Sequence, residues 1–567
     1  MRVALINVTA SGGTGKFCVE LSRQTMERGH TVLFCHARSH CPGDVPSCRV
    51  CWYSGAFAFV KRILGSGWKY ISRFFGSLWR YAGLKFGKPG RKKAAEKGEA
   101  DLKNAVLPRT EALRSDLPSR KSRGRSGRLL GGLRVRSRHK PDIRTRIQDA
   151  KRGMDKGKVK MKRAIHPRTE FFRSNINTYT HGVRARLTDR QGFFSKQATR
   201  RLVEQLRSFQ PDVIHLNNLH GYYLHMPTLF LYLREEQIPV VWTLHDLWAV
   251  TGHCAFPSTA VEPFLTDAQE QMYLSCAGDA AREAEVDKQI CREGCLRWQT
   301  GCGHCVMKGE YPRSWFRDQS ARNWREKRAL FSGHPYMVLT VPSRWMEQQV
   351  RKSFLSEYPL HYMPHGLDMN AYRPCVNVDQ RIALLKRLKL WEMRSKYLLV
   401  SVASLWESRK GLEDLMDLKE LLGEDYCVVA VGLDEDQRAA IPDGSVIALE
   451  EMGNRADLCA LYTAADLFVS LSRAESMGMR PLQAMACGTQ VLCWDATAMP
   501  ELITNDVGLT AELGNLQDAA DKVRWLCENP ASPEDCRRRA MEYEAGHRNR
   551  QFVYLYEGMH ENGPAAS

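Results

Sequence analysis

The sequence predicts an α/β chain made of two doubly wound halves, each a parallel sheet covered by helices on both faces. Three observations carry this. At 567 residues the chain exceeds what one hydrophobic core organises. Strand-like and helix-like runs alternate in two separate series, one before and one after about residue 370. In both series the strands run into polar or glycine-bearing loops that open a helix, which is where a parallel sheet collects ligand groups.

Taken in order, MRVALINV supplies a strand, Val3 to Val8, followed by a glycine-rich turn with Gly12, Gly13, Thr14 and Gly15, and a helix from Cys18 to Glu27. Such a turn can cradle phosphate, but it is neither a Walker motif nor a dinucleotide GxGxxG fingerprint. Two further strands, Val213 to Asn218 and Val240 to His245, end in Asn and His, with His215, His220 and His253 close by in sequence. A strand-like run from Met337 to Trp345 precedes His365-Gly366-Leu367-Asp368 and Tyr372-Arg373-Pro374. There Gly366 permits a turn from one half to the other, and Pro374 stops a local helix.

In the second series, Tyr397 to Ala403 reads as a buried parallel strand, and the loop after it brings Arg409, Lys410 and Gly411 to a helix start. The most informative stretch is Ala474 to Leu492, AESMGMRPLQAMACGTQVL, placed after the strand Leu467 to Leu471. Ser476, Met477, Gly478 and Met479 can aim unpaired backbone N–H groups at a phosphate, where the positive end of the helix dipole also points. Cys487-Gly488 ends that helix before the next strand, Gln490 to Trp494. A final helical stretch, Asp535 to His560, is expected to pack back across the interface, and Glu561 to Ser567 reads as a disordered tail.

The Ala474–Leu492 segment resembles the donor-site signature of the GT-B glycosyltransferases, in particular the retaining family-4 enzymes: Glu, seven residues, Glu, then a small-residue helix. The first acid is Glu475, and the second position holds Gln483. An amide offers one acceptor and one donor group where a carboxylate would accept from both ribose hydroxyls. The Lys410-Gly411 pair is similar to the family's Lys-Gly, although the arginine usual five residues earlier is replaced by Leu405; Arg409, Arg473 and Arg480 are the candidates to supply that charge. Thr-Leu-His-Asp around His245, the stretch IHLNNLHGYY and the His365-Gly366-Leu367-Asp368 bridge resemble a bacterial branch serving exopolysaccharide, capsule or colanic-acid synthesis.

The resemblance implies a cleft between two Rossmann-like domains. It implies an acceptor-side domain over 1–365, a nucleotide-sugar-binding domain over 366–540, and a crossing helix and tail over 541–567. Catalytic roles fall on Glu475, His245 and Lys410. Donor contacts fall on Gly13, Gly15, Arg409, Ser476, Met477, Gly478, Met479 and Gln483. It further implies retention of configuration, a nucleoside diphosphate sugar as donor, a glycan or lipid-linked glycan as acceptor, and no metal needed for catalysis.

Charge is concentrated in one insertion. Residues 91–170 hold 26 Lys plus Arg against 9 Asp plus Glu, a net +17 of the chain's +20. Their Arg/Gly/Ser-rich composition predicts disorder or partial helix. Just before it, over 52–88, Trp68, Ile71, Phe74, Phe75, Leu78, Trp79, Ala82 and Phe86 fall on one face of a helix of about 3.6 residues per turn. Lys69, Arg73 and Arg80 fall on the other. That pattern suits the headgroup layer of an anionic membrane, at about 1 kcal/mol per basic side chain. No stretch reaches the roughly 20 apolar residues of a membrane span and no signal peptide opens the chain, so the expectation is a cytoplasmic protein held peripherally at the inner membrane face. The same basic tract predicts salt-sensitive, nonspecific nucleic-acid binding. Two other functional readings stay open: a non-catalytic GT-B binding protein, suggested by Gln483 and Leu405, and a membrane- or RNA-binding adaptor acting through 52–170.

Of eighteen cysteines, Cys254, Cys276, Cys291, Cys295, Cys302 and Cys305 cluster in a second insertion, 254–310. Cys302-x-x-Cys305 is half of a tetrahedral zinc site, and Cys295 with Cys254 or Cys291 would complete it; reduced thiols fit the sequence equally. No His/Asn constellation marks a catalytic cysteine.

Overall fold

The computed structural model describes residues 1–9, 12–38, 44–45, 47–49, 178–259 and 294–562. All belong to one compact unit formed by Met1–Ser54 and Phe171–Ser567. The amphipathic stretch 52–88, the basic segment 91–170, Cys276 and Cys291 lie outside the described residues.

Each half is an all-parallel sheet. The first contains β1 (Arg2–Thr9), β2 (Thr31–Arg38), β3 (Ser47–Arg49), β4 (Val213–Leu216), β5 (Val240–Thr243), β6 (Met337–Val341) and β7 (Leu360–Tyr362), in the order β3-β2-β1-β4-β5-β6-β7. The second contains β8 (Tyr397–Val402), β9 (Tyr426–Val431), β10 (Ile447–Leu449), β11 (Leu467–Ser470), β12 (Val491–Trp494) and β13 (Gly508–Ala511), ordered β10-β9-β8-β11-β12-β13. Helices on both faces explain the unbroken apolar strands: β4, β5 and β9 are buried along their whole length. Both sheets start in the middle, wind to one edge and cross back. The order therefore reverses between β1 and β4 in one half and between β8 and β11 in the other. At such switch points neighbouring loops part and open a crevice at the carboxyl ends of the strands.

Two local expectations change. Helix α1 spans Gly12–Glu27, so the glycines form its first turn and not a loop ahead of it. The last helical stretch is broken, with one helix over Pro533–Met541 and another, here α4, over Ala545–Glu561. Helix α4 crosses onto the first half, where Phe552, Val553 and Tyr556 are wholly buried in a cluster with Val3, Leu5 and Phe17. The crossing is tied at the bridge by Leu367 N–H donating to Tyr543 O (2.7 Å) and Ala545 N–H donating to Leu367 O (3.0 Å). Gly366 matters here through close approach: a Cβ on it would stand 2.4 Å from Ala545 Cα. Among the described residues no helix is long and apolar enough to cross a membrane.

Candidate functional site

At the second switch point, β8 leads into a tight turn, Ser408–Lys410, and then helix α2 (Leu412–Leu422). Gly411 joins them with φ +71°, packed so closely that a Cβ would meet Leu471 O at 2.1 Å. The loop after β11 runs alongside, held by Arg473 N–H donating to Arg409 O (2.8 Å). This apposition places the Lys410 ammonium on the Glu475 carboxylate, with Ser472 Oγ donating to Glu475 Oε1 at 2.9 Å and Arg409 Nη1 3.7 Å away. Arg409 also donates to Ala474 O (2.9 Å) and lies 4.5 Å over the Phe256 ring of the other half. Burial pushes the Glu475 carboxyl up, but Lys410 and Arg409 outweigh it and hold the group below the ordinary range. Burial draws the Lys410 ammonium down despite Glu475.

Gly478, at φ +86°, caps helix α3 (Met479–Ala486), whose first turn carries no acid. The free N–H groups of Ser476 to Met479 therefore border the same crevice. Arg480 projects from that first turn and donates to Gln483 Oε1 (3.0 Å) and Ser404 Oγ (2.5 Å). It thus reaches the loop where Leu405 stands exposed in place of the expected arginine. Arg473, by contrast, pairs with Asp414 at 2.8 Å, and Arg409 with Glu407 at 3.1 Å. Among the three candidates Arg480 is the one left facing neutral acceptors.

The first half contributes a residue that motif reading misses. Lys16, on α1 just past Gly13 and Gly15, has its ammonium lowered by partial burial and by repulsion from Arg455 and Arg480 of the other half. Its signal is a lysine in the first turns of a glycine-started helix, but its neighbours are more than four hundred residues away in sequence. Cations from both halves thus converge on the crevice, an arrangement suited to a polyanion.

His245 sits at the first switch point between Asn217 Oδ1 (2.9 Å from Nε2) and His365 Nε2 (3.0 Å from Nδ1). Burial and the neighbouring His365 keep His245 well below its ordinary pKa, and burial lowers His365 to about 4, so the pair is neutral. Both ring nitrogens of His245 are engaged within the protein, and the backbone N–H of His365 donates to Met477 Sδ (3.2 Å) in the donor-side loop. The other histidines have structural partners: His215 with Tyr556 and Thr243, His220 with Asp246 and Tyr311, and His253 with Asp189. Burial pushes the Asp246 carboxyl up, but His220 and the Trp248 N–H hold it below the ordinary range.

A cavity of about 210 Å3 lies next to this cluster, with Asp246, Phe256, Met307 and Tyr311 on one wall and Glu407 and Arg409 on the other. A larger cavity, about 590 Å3, is lined by Pro239, Tyr336 and Pro359. These precede β5, β6 and β7, so it opens at the amino edge of the sheet, away from the switch points. As for metal, no group of three or more His, Cys, Asp or Glu among the described residues is placed to hold an ion as it stands. Cys254, Cys295, Cys302 and Cys305 nonetheless share one loop cluster and form no disulfide.

Two stretches match known sequence families: residues 160–278 the family described as Glycosyltransferase Family 4, and residues 390–543 the family described as Glycosyl transferases group 1. The ORF313 protein of Acidianus filamentous virus 1 (isolate United States/Yellowstone), which carries a glycosyltransferase assignment, is 30% identical over 180 residues, covering 31% of this chain and 51% of that protein. WcaC of Escherichia coli (strain K12), assigned as a colanic acid biosynthesis glycosyl transferase, is 27% identical over 111 residues, 19% of each chain. The chain spans about half or less of the length of these relatives. Among solved structures, sucrose-phosphate synthase from Thermosynechococcus elongatus superposes over 100% of both chains with a TM-score of 0.50 at 13% identity, a likeness of fold alone. The architecture is the GT-B fold, and the two matched stretches make the chain similar to group 1 and family 4 glycosyltransferases.

Proposed function

We propose that this protein is a glycosyltransferase that moves a sugar from a nucleoside diphosphate sugar to a hydroxyl of a glycan or lipid-linked glycan, with retention of configuration. The observation that carries the reading is the Lys410–Glu475–Arg409 cluster at the β8/β11 switch point. In the ligand-free protein Lys410 and Glu475 satisfy each other. A donor gives each a better partner: the diphosphate takes Lys410, and sugar hydroxyls donate to Glu475. As the glycosidic bond breaks, negative charge grows on the leaving diphosphate, where Lys410, Arg409, Arg480, Lys16 and the Ser476–Met479 amides neutralise it. The family-4 resemblance assigns no metal to this step. The neutral His245–His365 pair positions the sugar side of the cleft, and its link to Met477 couples that side to the donor loop.

The acceptor enters by the cavity at Asp246 and Tyr311. The match to a colanic-acid protein supports a role in bacterial polysaccharide synthesis, and the basic stretch 52–170 supports an acceptor presented at the cytoplasmic face of an anionic membrane. Calorimetric binding of UDP, GDP and ADP, repeated with Lys410→Ala, tests the donor site. One nucleotide binding tightly to wild type and weakly to the variant is expected; no binding of any of the three by folded protein overturns it. A second reading, a non-catalytic binding protein, is favoured by Gln483 engaging Arg480 where the family pattern has a free carboxylate. Donor-dependent transfer to an extracted glycolipid would end that reading.

A further inference from the structure

A chain of polar side chains runs from Gln191 to Asp246 on the acceptor side and has no assigned role in the transfer described above. Gln191 Nε2–H donates to the Tyr311 hydroxyl (3.2 Å), that hydroxyl meets His220 Nδ1 at 2.8 Å, and His220 Nε2–H donates to Asp246 Oδ2 at 2.9 Å. Asp246 Oδ1 accepts from the Trp248 N–H (2.9 Å). The loop that bears Asp246 is anchored by Lys327, a buried lysine whose ammonium lies 3.5 Å from the centre of the Trp248 ring and donates to Trp248 O (2.6 Å) and Thr251 O (3.0 Å). Such a network holds one carboxylate in one orientation. Its two hydrogen bonds still leave that carboxylate about two lone-pair sites for further donors. Asp246 and Tyr311 both line the cavity of about 210 Å3.

We propose that Asp246 receives the hydroxyls of the acceptor, that His220 and Tyr311 act through it as positioning residues, and that the acceptor ends in an uncharged sugar. Volume sets the size: about 210 Å3 is below the roughly 300–1,000 Å3 of sites for drug-sized ligands, so the cavity takes one sugar ring. Phe256, Met307 and Tyr311 offer apolar wall to the C–H face of that ring, and Asp246 takes its hydroxyls. Charge sets the class. Asp246, Glu310 and Glu407 line the cavity against one guanidinium, Arg409, which Glu407 already pairs at 3.1 Å. A phosphate or a uronate meets like charge there, whereas a neutral hydroxyl meets hydrogen-bond acceptors.

This inference rests on the transferase reading and extends it to the second substrate. Arg409 joins the two sites: it lines the cavity, and its Nη1 stands 3.7 Å from Glu475 Oε1. An acceptor hydroxyl lodged between Asp246 and Arg409 therefore points toward the donor sugar. In the transfer, a bond forms from the acceptor oxygen to the anomeric carbon, and the bond from that carbon to the diphosphate breaks with its electron pair on the diphosphate. The acceptor proton leaves on that phosphate oxygen. Asp246 takes up no proton; it accepts hydrogen bonds and fixes the angle of approach.

The test reads acceptor binding directly and needs no turnover. Saturation-transfer NMR is run on the full-length chain with methyl glucoside, galactoside, mannoside and N-acetylglucosaminide, and with methyl glucuronide and galacturonide, each alone and with UDP, GDP or ADP added. On wild type at least one neutral glycoside should bind, and its uronide should bind at least about tenfold more weakly. Asp246→Asn should weaken the neutral glycoside by about tenfold or more, as loss of a hydrogen bond to a charged group does. His220→Ala should weaken it too, and His220→Gln, whose amide can still donate to Asp246, should restore most of the loss; a merely structural histidine would show no such rescue. A uronide that binds wild type as well as its neutral partner, no glycoside bound in any mixture, or unchanged affinity in Asp246→Asn overturns the proposal. The first two are read on wild-type protein, so a variant that fails to fold does not protect it. The expected glycoside pattern without binding of any nucleotide would support this site and overturn the transferase reading instead.

Discussion

The two halves of this molecule wind their sheets in the same order and open a crevice at the same topological point, yet they furnish those crevices with opposite chemistry. At β8/β11 the edge is ionic: Lys410, Arg409 and Glu475 engage one another, and Arg480 stands over neutral partners. At β1/β4 the rim carries Lys16 and the Asp246 carboxylate beside His220, but the buried interior is neutral: His245 bonds to Asn217 and packs on and bonds to His365, and Asn7 accepts from Asn218 N–H. The fold decides where a ligand meets the protein, and the loops decide what kind. An ionic edge suits a diphosphate; a neutral, buried edge suits a sugar, whose hydroxyls need orientation more than charge.

The sharpest way to break this contrast is Lys410→Ala. It should lower kcat for transfer by about 10²–10³-fold, the usual effect of removing one preorganised group that meets developing charge. Steady-state kinetics on protein with an unchanged circular-dichroism spectrum would show it, and an unaffected rate would mean that the ionic edge is not where the leaving group sits.

A finer division separates the three arginines. Arg480→Ala should weaken nucleoside diphosphate binding about 10–100-fold, as loss of a charged hydrogen bond does. Arg473→Ala, whose side chain already pairs with Asp414, should leave it within a factor of two or so. Calorimetry on both variants reads the difference. Equal effects would show that the crevice responds only to total charge.

These two cases also mark what local sequence conveys. The run from Leu467 to Trp494 is legible because a buried strand, a polar glycine-bearing loop and a small-residue helix each have their own spacing and composition, and the loop between them has one place to go. Lys410 and Glu475 are both visible as residues of such loops, and the parallel order of β8 and β11 brings them together. Which arginine stands over Ser404 is not visible, since that depends on the side-chain reach of a helix turn folded against another loop. Lys16 escapes notice for a related reason: its cationic neighbours Arg455 and Arg480 lie in the other half, and no periodicity records a contact across a cleft. Gly366 reads as a turn residue in the sequence, whereas its constraint comes from Ala545 on the crossing segment.

That last contact supplies the next test, of what holds the two edges opposite one another. Gly366→Ala should destabilise the protein by about 2 kcal/mol, since backbone at Ala545 must shift to admit a methyl group. Denaturant unfolding measures this. A neutral result would show that the crossing helix adjusts freely and that the register of the halves is loosely set.

The smallest effect distinguishes the neutral edge most directly. His365 is buried, and burial alone lowers its pKa to about 4, against about 6.5 for an exposed imidazole. The unfolded chain therefore binds the proton more readily than the folded one. The contribution of this residue is fully present above pH 6.5 and declines as pH falls toward 4. By pH 5.5 the loss attributable to His365 is roughly 1.4 kcal/mol. His365→Asn removes the titrating group, so stability measured at pH 7.5 and pH 5.5 should fall less in the variant than in wild type by about that amount. If the two fall in parallel, His365 is protonated in the folded protein, the His245–His365 pair carries charge, and the contrast between an ionic and a neutral edge disappears.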